Sequence, residues 1–435
     1  MLDDNARPDD DSRRGGSEAD LVGDTNWPWT LPSGPSVGAD RGQATMIGVI
    51  FVVVIVLGLF TFAQTTLAPQ IRNNEEIEHG SQIVTDFQGI HGNTLTAATT
   101  GQPGSSVLQM GTDYPGGVLI YHPPDPAGAI RTGDPKSVEL ANVEATNDET
   151  ADYLDGSTQQ YEYQPLRYTP FYNEFKTAGD SVIEFGVFYQ DYDSEVEIVG
   201  QPNVVEGNTI RLMATTGDMN IGAGTGRLIQ TKPLSASQQT VIVEDTGSRP
   251  EIRFESNLDV SIWREMLSDE IDGNGSPLND RYVHQVRDGS GDTIVIKMEQ
   301  GSTYEVNTAK LHHKMSDQPA AAKSEVPDVA YLTTTQATET TVSAGGTKQF
   351  TLEVRDIFNN PLANEAIAAT TSHPDSSVDA ITKVSRSDGT VTLIYRAPSS
   401  SATPPDDDTL TVELASASGV PNDQATVQFT INIDS

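Results

Sequence analysis

Thirty consecutive uncharged residues, Gly42 to Ile71, separate Arg41 from Arg72, and from Met46 to about Ala68 the run is largely apolar. A bilayer's hydrocarbon core is about 30 Å thick and takes roughly 20 apolar residues in a helix. The run meets that demand once, near the N-terminus of an otherwise polar chain. Arg7, Arg13, Arg14 and Arg41 precede it, and only Arg72 follows closely. Lys and Arg stay on the cytoplasmic side of a membrane, while Asp and Glu count for little. The expected topology is therefore single-pass, with the N-terminus cytoplasmic and residues 70–435 outside. A secretory signal peptide fits poorly, because the charged pre-region and the apolar run are both too long and no clean Ala-x-Ala follows.

Residues 1–42 read as a disordered cytoplasmic leader of Asp, Gly, Ser and Pro clusters, with isolated apolar features such as Trp27-Pro28-Trp29. Residues 43–91 read as a transmembrane helix and amphipathic stalk. Ile77, Ile83, Val84, Phe87 and Ile90 recur at helical spacing, with Asn73, Asn74, Glu75, Glu76 and Glu78 on the polar side. A kink is expected at Pro69 and an end near Ile90. The apolar stripe must pack on the chain's own head or on neighbouring copies.

From residue 92 to 314 the pattern changes to short β-rich runs between Gly, Asp, Asn and Pro turns. They are Gly117–Tyr121, Ser181–Tyr189, Thr209–Met213, Gln239–Val243 and Asp292–Ile296. This predicts a β-sandwich head, with one short helix over Ser261–Leu267. Residues 315–329 read as a linker. In 330–435, runs at Gln349–Val354, Thr390–Tyr395, Thr409–Leu414 and Thr426–Ile431 alternate apolar and polar residues in period two. That spacing matches an immunoglobulin-like sandwich. The predicted fold class is mainly β, with an N-terminal helix, a β-sandwich head and a C-terminal Ig-like β-sandwich.

Asp and Glu outnumber Lys and Arg by 62 to 26, a formal net charge of −36 spread along the chain. Nucleic acid is excluded as a partner, since its phosphates would be repelled. Uniform acidity with Arg above Lys looks like the adaptation of haloarchaeal proteins, where salt screens the self-repulsion. The chain has no cysteine, so disulfides, Cys-zinc sites and thiol nucleophiles are excluded.

Parts of the chain resemble two known families. Arg41-Gly42-Gln43-Ala44-Thr45-Met46-Ile47-Gly48 and the apolar run after it resemble the class III signal of haloarchaeal type IV pilin-like proteins. The resemblance implies cleavage between Gly42 and Gln43 on the cytoplasmic side and a β-rich extracellular head. Ile47 stands at position five of the mature chain, where bacterial pilins commonly have Glu. Pro123-Pro124-Asp125-Pro126 with Gly128 and Arg131-Thr132 also looks like a segment of uncharacterised haloarchaeal pilin-like proteins. Val354-Arg355-Asp356-Ile357-Phe358-Asn359-Asn360-Pro361-Leu362, followed by Ser387-Asp388-Gly389-Thr390 and its strand, is similar to invasin/intimin-type bacterial Ig-like repeats. Such domains are mostly spacers in surface proteins.

Chemistry-bearing patterns are sparse. Gly222-Ala223-Gly224-Thr225-Gly226-Arg227 fits neither a dinucleotide nor a P-loop pattern and reads as a turn. Asp191-Tyr192-Asp193-Ser194-Glu195 and Asp269-Glu270-Ile271-Asp272-Gly273-Asn274 gather oxygen ligands without EF-hand spacing. Asp406-Asp407-Asp408 reads as a solvated loop. His312 and His313 would point to opposite faces of a strand and make a poor ligand pair. No G-x-S-x-G occurs. Asn274-Gly275-Ser276 is the one N-glycosylation sequon, followed directly by Pro277. No catalytic residue, metal or cofactor is expected.

The favoured expectation is a non-enzymatic surface protein, either a pilin-like component or an adhesion or scaffold protein. Its partners would be membrane lipid and other pilin-like subunits or surface proteins. The rival is a membrane-tethered enzyme or calcium-dependent receptor, marked by a pocket of converging Asp, Glu, His or Arg in the head.

Overall fold

The computed structural model describes residues 40–116, 121, 123–236, 239–271, 281–318, 326–399, 407–415 and 419–434, with side chains from Met46 onward. Helix α1 spans Asp40–Phe62, a π-turn follows at Ala63–Leu67, and helix α2 spans Ala68–Thr100. The expected kink at Pro69 is instead this π-turn just before it, with Pro69 in the first turn of α2. Proline has no N–H to donate one turn back, and a local π register is a common way for a helix to absorb such a defect. The helix also outruns the expected end at Ile90. Thr94, Thr99 and Thr100 hydroxyls donate to the carbonyls of Ile90, Leu95 and Thr96. Gly101 ends it at φ +67°, its N–H reaching the Ala97 carbonyl. That left-handed cap favours glycine.

Beyond α2 the chain is mainly β, as predicted. A seven-stranded, a six-stranded and a five-stranded sheet form the head, and two four-stranded sheets form the C-terminal domain. The predicted runs at 209, 239 and 292 become parts of Thr209–Gly217, Val241–Asp245 and Thr293–Met298. The helix predicted over Ser261–Leu267 is α3, Val260–Met266, which buries Trp263. Of the run 117–121, residues 117–120 lie outside the described residues.

The run Ser181–Tyr189 is not one strand. It folds as a hairpin, Asp180–Glu184 paired with Val187–Asp191, turning at Phe185 and Gly186 with φ of +44° and +77°. Both strands are buried on both faces. Without polar alternation a buried hairpin reads as one apolar run, and Gly186 was its one turn signal. Phe185 itself is buried, 4.4 Å from the Phe254 ring centroid.

Ile83, Phe87 and Ile90 of α2 pack against Leu108, Ile229 and Met315 of the seven-stranded sheet. On their other side are Ile130, Leu166, Tyr168, Ile183 and Phe188 of the six-stranded sheet. From Ile83 to Ile90 the stripe is thus covered by the chain's own head, while Ile77 stays exposed. Further along, Ala97 and Ala98 pack on Met213, Ala309 and Leu311.

In the C-terminal domain, strands Val329–Thr333, Thr347–Asp356, Thr390–Arg396 and Ser377–Ala380 face strands Glu339–Ser343, Thr426–Asp434, Asp407–Leu414 and Ile367–Thr371. One core fills the sandwich, with Phe350 and Phe429 ring centroids 4.4 Å apart. Of the expected linker, Met315 closes a strand, Val329 opens the next, and 319–325 lie outside the described residues.

Candidate anchor helix and its seat in the head

From Met46 to Phe62, fourteen large apolar side chains of α1 are 42–69% exposed. Burying each is worth roughly 1.5–3 kcal/mol, so leaving all of them in water forgoes on the order of 20–40 kcal/mol. The helix is long and apolar enough to cross a membrane. Gly42 and Gln43, the expected processing site, lie in the first turn of α1, where side chains are not described.

The lower half of α2 is held by polar groups. Glu76 was expected on the polar face, but it is fully buried. Its carboxylate accepts from the Tyr114 hydroxyl at 2.5 Å and from the backbone N–H groups of Asn173, Glu174 and Phe175 at 2.7, 2.8 and 2.6 Å. Burial alone would raise its pKa, yet these donors outweigh it and hold the carboxyl below the usual range. Four residues earlier, Arg72 pairs with Glu174 at 2.5 Å. His79 Nε2 donates to the Gln109 carbonyl at 2.8 Å, so its Nδ1 accepts from the Tyr172 hydroxyl at 2.6 Å. Asp86 accepts from the Gln109 N–H at 2.8 Å, and His91 Nε2 donates to the Gly186 carbonyl at 2.9 Å.

Positions 76, 79, 83, 87 and 90 form one helical stripe, spaced by three and four. Glu76 and His79 sit on the core-facing row that Ile83, Phe87 and Ile90 define. That was the available signal, masked by the neighbouring Glu75 and Glu78.

Burial lowers the pKa of His79 and His91, and burial with His312 alongside lowers that of His313 to about 4. A histidine held neutral in the fold takes up a proton on unfolding once pH falls below about 6.5. Its stability contribution is complete above that pH and is lost as pH falls toward the folded value, by up to about 1.4 kcal/mol per unit per histidine. Two carboxyls act oppositely. Burial and neighbouring Asp152 and Asp148 push Glu149 up to about 7, and burial pushes Asp356 up to about 6. Their strain is relieved on acidification. We expect His313→Gln to flatten the fall in melting temperature between pH 6.5 and 5 at fixed salt. An unchanged slope would show that His313 titrates normally.

The remaining sequence candidates separate in the fold. Asn274 lies outside the described residues, as do Asp272, Gly273 and Asp406. Within Gly222–Arg227 the turn itself is Gly224-Thr225, and the rest of the run belongs to strands Asn220–Ala223 and Gly226–Ser235. Asp191 is committed to Arg167 at 3.0 Å and to the Asp193 N–H at 3.2 Å. Asp408 corrects the solvated-loop expectation: it is buried in a strand, accepting from Ser372, His373 N–H and Tyr395 at 2.7–2.9 Å. His312 and His313 are both buried in strand Tyr304–Met315. Among the described residues no three metal-ligating side chains converge.

A cleft of about 880 Å³ opens beside α3, floored by Ile198, Val205 and Met266 and edged by Glu206, Glu265 and Glu270. No His or Arg lines it among the described residues. Glu270 is engaged with the Gly207 N–H at 3.1 Å.

The Ig-like motif does more than close a hairpin. Asp356 accepts from the Phe358 and Asn360 N–H groups at 2.8 and 3.1 Å, and Asn359 takes φ +59°. The loop so shaped inserts Phe358 into the core of the head, stacked on Tyr161 at 4.8 Å. Asn360 Nδ2 donates to Ser235 Oγ and the Thr308 carbonyl, both at 2.7 Å. Tyr331 stacks on Tyr153 at 4.8 Å. The two domains are therefore docked by a buried plug.

No family model matches the chain. No curated protein matches it. Among solved structures, domains 4 and 5 of the S-layer protein SbsC align at 12% identity and TM-score 0.21, covering 33% of this chain and 65% of that one. The D0-D1 domain of Intimin aligns at 8% identity and TM-score 0.19, covering 43% of this chain and 91% of that one. The chain thus spans just under two thirds of the first structure's length. At such TM-scores neither likeness carries an argument.

Proposed function

We propose that the chain is a non-enzymatic, membrane-anchored surface protein, in which α1 holds the head and its docked Ig-like domain outside the cell. The observation that carries this reading is the contrast along the helical run. Met46–Phe62 is bare and apolar, while α2 is built into the head by Glu76, His79, Ile83, Phe87 and Ile90. A pull on the anchor would reach the sheets through these buried contacts rather than through a loose tether.

The arginines before the run support a cytoplasmic N-terminus, and the acidity supports a high-salt exterior. The Arg41-Gly42-Gln43 junction favours a pilin-like component over an ordinary anchor. Its helix would be cut after Gly42 and could leave lipid to pack against other copies through Gly48, Gly58 and Ala63. Mass spectrometry of the protein from purified cell envelopes tests this. We expect a mature N-terminus at Gln43. An intact N-terminus at residue 1 or 2 rejects pilin-type processing.

A further inference from the structure

We propose that the head contains an intramolecular amide cross-link between the Lys136 amine and the Asn257 side chain, formed with Glu184 as proton carrier. The chain has no cysteine, so a disulfide cannot tie its strands, and an amide needs no thiol. Lys136 opens strand Lys136–Ala141, and Asn257 lies two residues beyond strand Glu251–Glu255. These strands are antiparallel neighbours, with Val138 opposite Phe254. Lys136 and Asn257, 121 residues apart in sequence, therefore meet at one end of the pair. Glu184 comes from the six-stranded sheet, where it closes the first strand of the buried hairpin.

The three side chains are arranged as reactants rather than as a plain ion pair. Lys136 Nζ donates to Asn257 Oδ1 at 2.9 Å and stands farther, 3.6 Å, from Glu184 Oε1. The carboxylate instead grips the amide. Asn257 Nδ2 donates to Oε2 and the Asn257 backbone N–H to Oε1, both at 2.7 Å. The amine thus sits on the carbonyl side of the carboxamide, and the carboxylate on the nitrogen that would leave. A C=O bond is about 1.2 Å long, so Nζ lies within about 4 Å of Cγ. A turn of the flexible lysine stem brings it to the roughly 3–3.5 Å of a near-attack pose. Glu184 is fully buried, and the Lys136 side chain is 15% exposed. The Tyr189 hydroxyl donates to Oε2 at 3.0 Å, and Phe185, the next residue, packs on Phe254 at 4.4 Å. Asn257 itself is exposed, which opens a way out for ammonia.

The step balances without an oxidant, a metal or a co-reactant. Only a neutral amine is a nucleophile, and the Glu184 carboxylate is placed to take one proton from the Lys136 ammonium. Nζ attacks Cγ of Asn257; the Nζ–Cγ bond forms and the Cγ–Nδ2 bond breaks. Glu184 returns its proton to the departing nitrogen, and a second proton from Nζ follows it. Ammonium leaves, one N–H stays on the new amide, and Glu184 ends ionised as it began.

Mass spectrometry of the purified full-length protein tests the cross-link. We expect the parent to weigh about 17 Da less than its sequence, the mass of one ammonia. Tryptic digestion should give residues 132–167, uncut after Lys136, joined to residues 254–264. The joined pair is decisive, because ring closure at Asn274-Gly275 or at an N-terminal Gln loses the same mass. Lys136→Arg and Asn257→Ala should each lose the joined pair and regain the ammonia mass. Glu184→Gln, in protein whose Trp263 fluorescence matches the parent's, should leave the two peptides unjoined. A parent cut after Lys136, with 254–264 recovered free, overturns the cross-link. A mass deficit unchanged in Lys136→Arg places the loss elsewhere and overturns it too. A joined pair in folded Glu184→Gln overturns the part given to Glu184.

Discussion

Replacing Glu76 by Gln is expected to destabilise the head by about 1–5 kcal/mol, the cost of stranding one or two N–H donors of a buried carboxylate. Its two oxygens accept four hydrogen bonds, three of them from consecutive backbone N–H groups at 173–175. A glutamine keeps one oxygen and turns an NH₂ toward the donors of the other. Where the NH₂ replaces Oε2, the Glu174 and Phe175 N–H groups lose their acceptor. Where it replaces Oε1, the Asn173 N–H does, while the Tyr114 hydroxyl can turn to accept. One or two N–H groups are thus stranded, at about 1–3 kcal/mol each. The loop that carries Glu174 would loosen, and the Arg72 pair with it. Urea unfolding of the full chain in detergent at pH 7, followed by the fluorescence of Trp263 in the head core, reads the loss. A shift below about 1 kcal/mol would mean that water replaces these bonds.

Truncating Phe358 to Ala is expected to undock the C-terminal domain while leaving both sandwiches folded. Phe358 belongs by sequence to the Ig-like hairpin but is 4% exposed within the head's core. Removing a buried Phe costs about 3–5 kcal/mol. Most of that would fall on the interface, because the Ig core is built from Phe350, Leu393, Val412 and Phe429 and does not include it. Paired spin labels at Glu162→Cys and Glu413→Cys, one in each domain, would report the change. A single narrow distance in the parent should broaden in Phe358→Ala. A distribution that stays narrow would show that the remaining contacts, Asn360 to Thr308 and Tyr331 to Tyr153, suffice.

These two residues also show where sequence reading stops. Period-two alternation placed four strands of the C-terminal domain, Thr347–Asp356, Thr390–Arg396, Asp407–Leu414 and Thr426–Asp434, where the pattern is local. It missed Val329–Thr333, Glu339–Ser343, Ile367–Thr371 and Ser377–Ala380. In Ser181–Tyr189 both faces are buried, the alternation vanishes, and one run conceals a hairpin. Glu76 was assigned to water because acidic residues flank it. Only Tyr114 and the loop about 97 residues away supply the donors that make its burial tolerable. Asp408 was misread for the same reason, its partners Ser372 and Tyr395 being remote in sequence.

From its sequence alone, this protein has one segment able to cross a bilayer, no thiol chemistry, an acidic surface hostile to nucleic acid, and β-rich domains beyond the helix. Each follows from composition or from a period readable within about ten residues. Tertiary structure decided that the stalk is the spine of the head, that its carboxylate and imidazoles are structural ties, and that an Ig-like hairpin plugs the neighbouring domain. Those outcomes depend on contacts between distant segments, where a polar group is stable only if the partner arrives in the right place. No local pattern records that arrival.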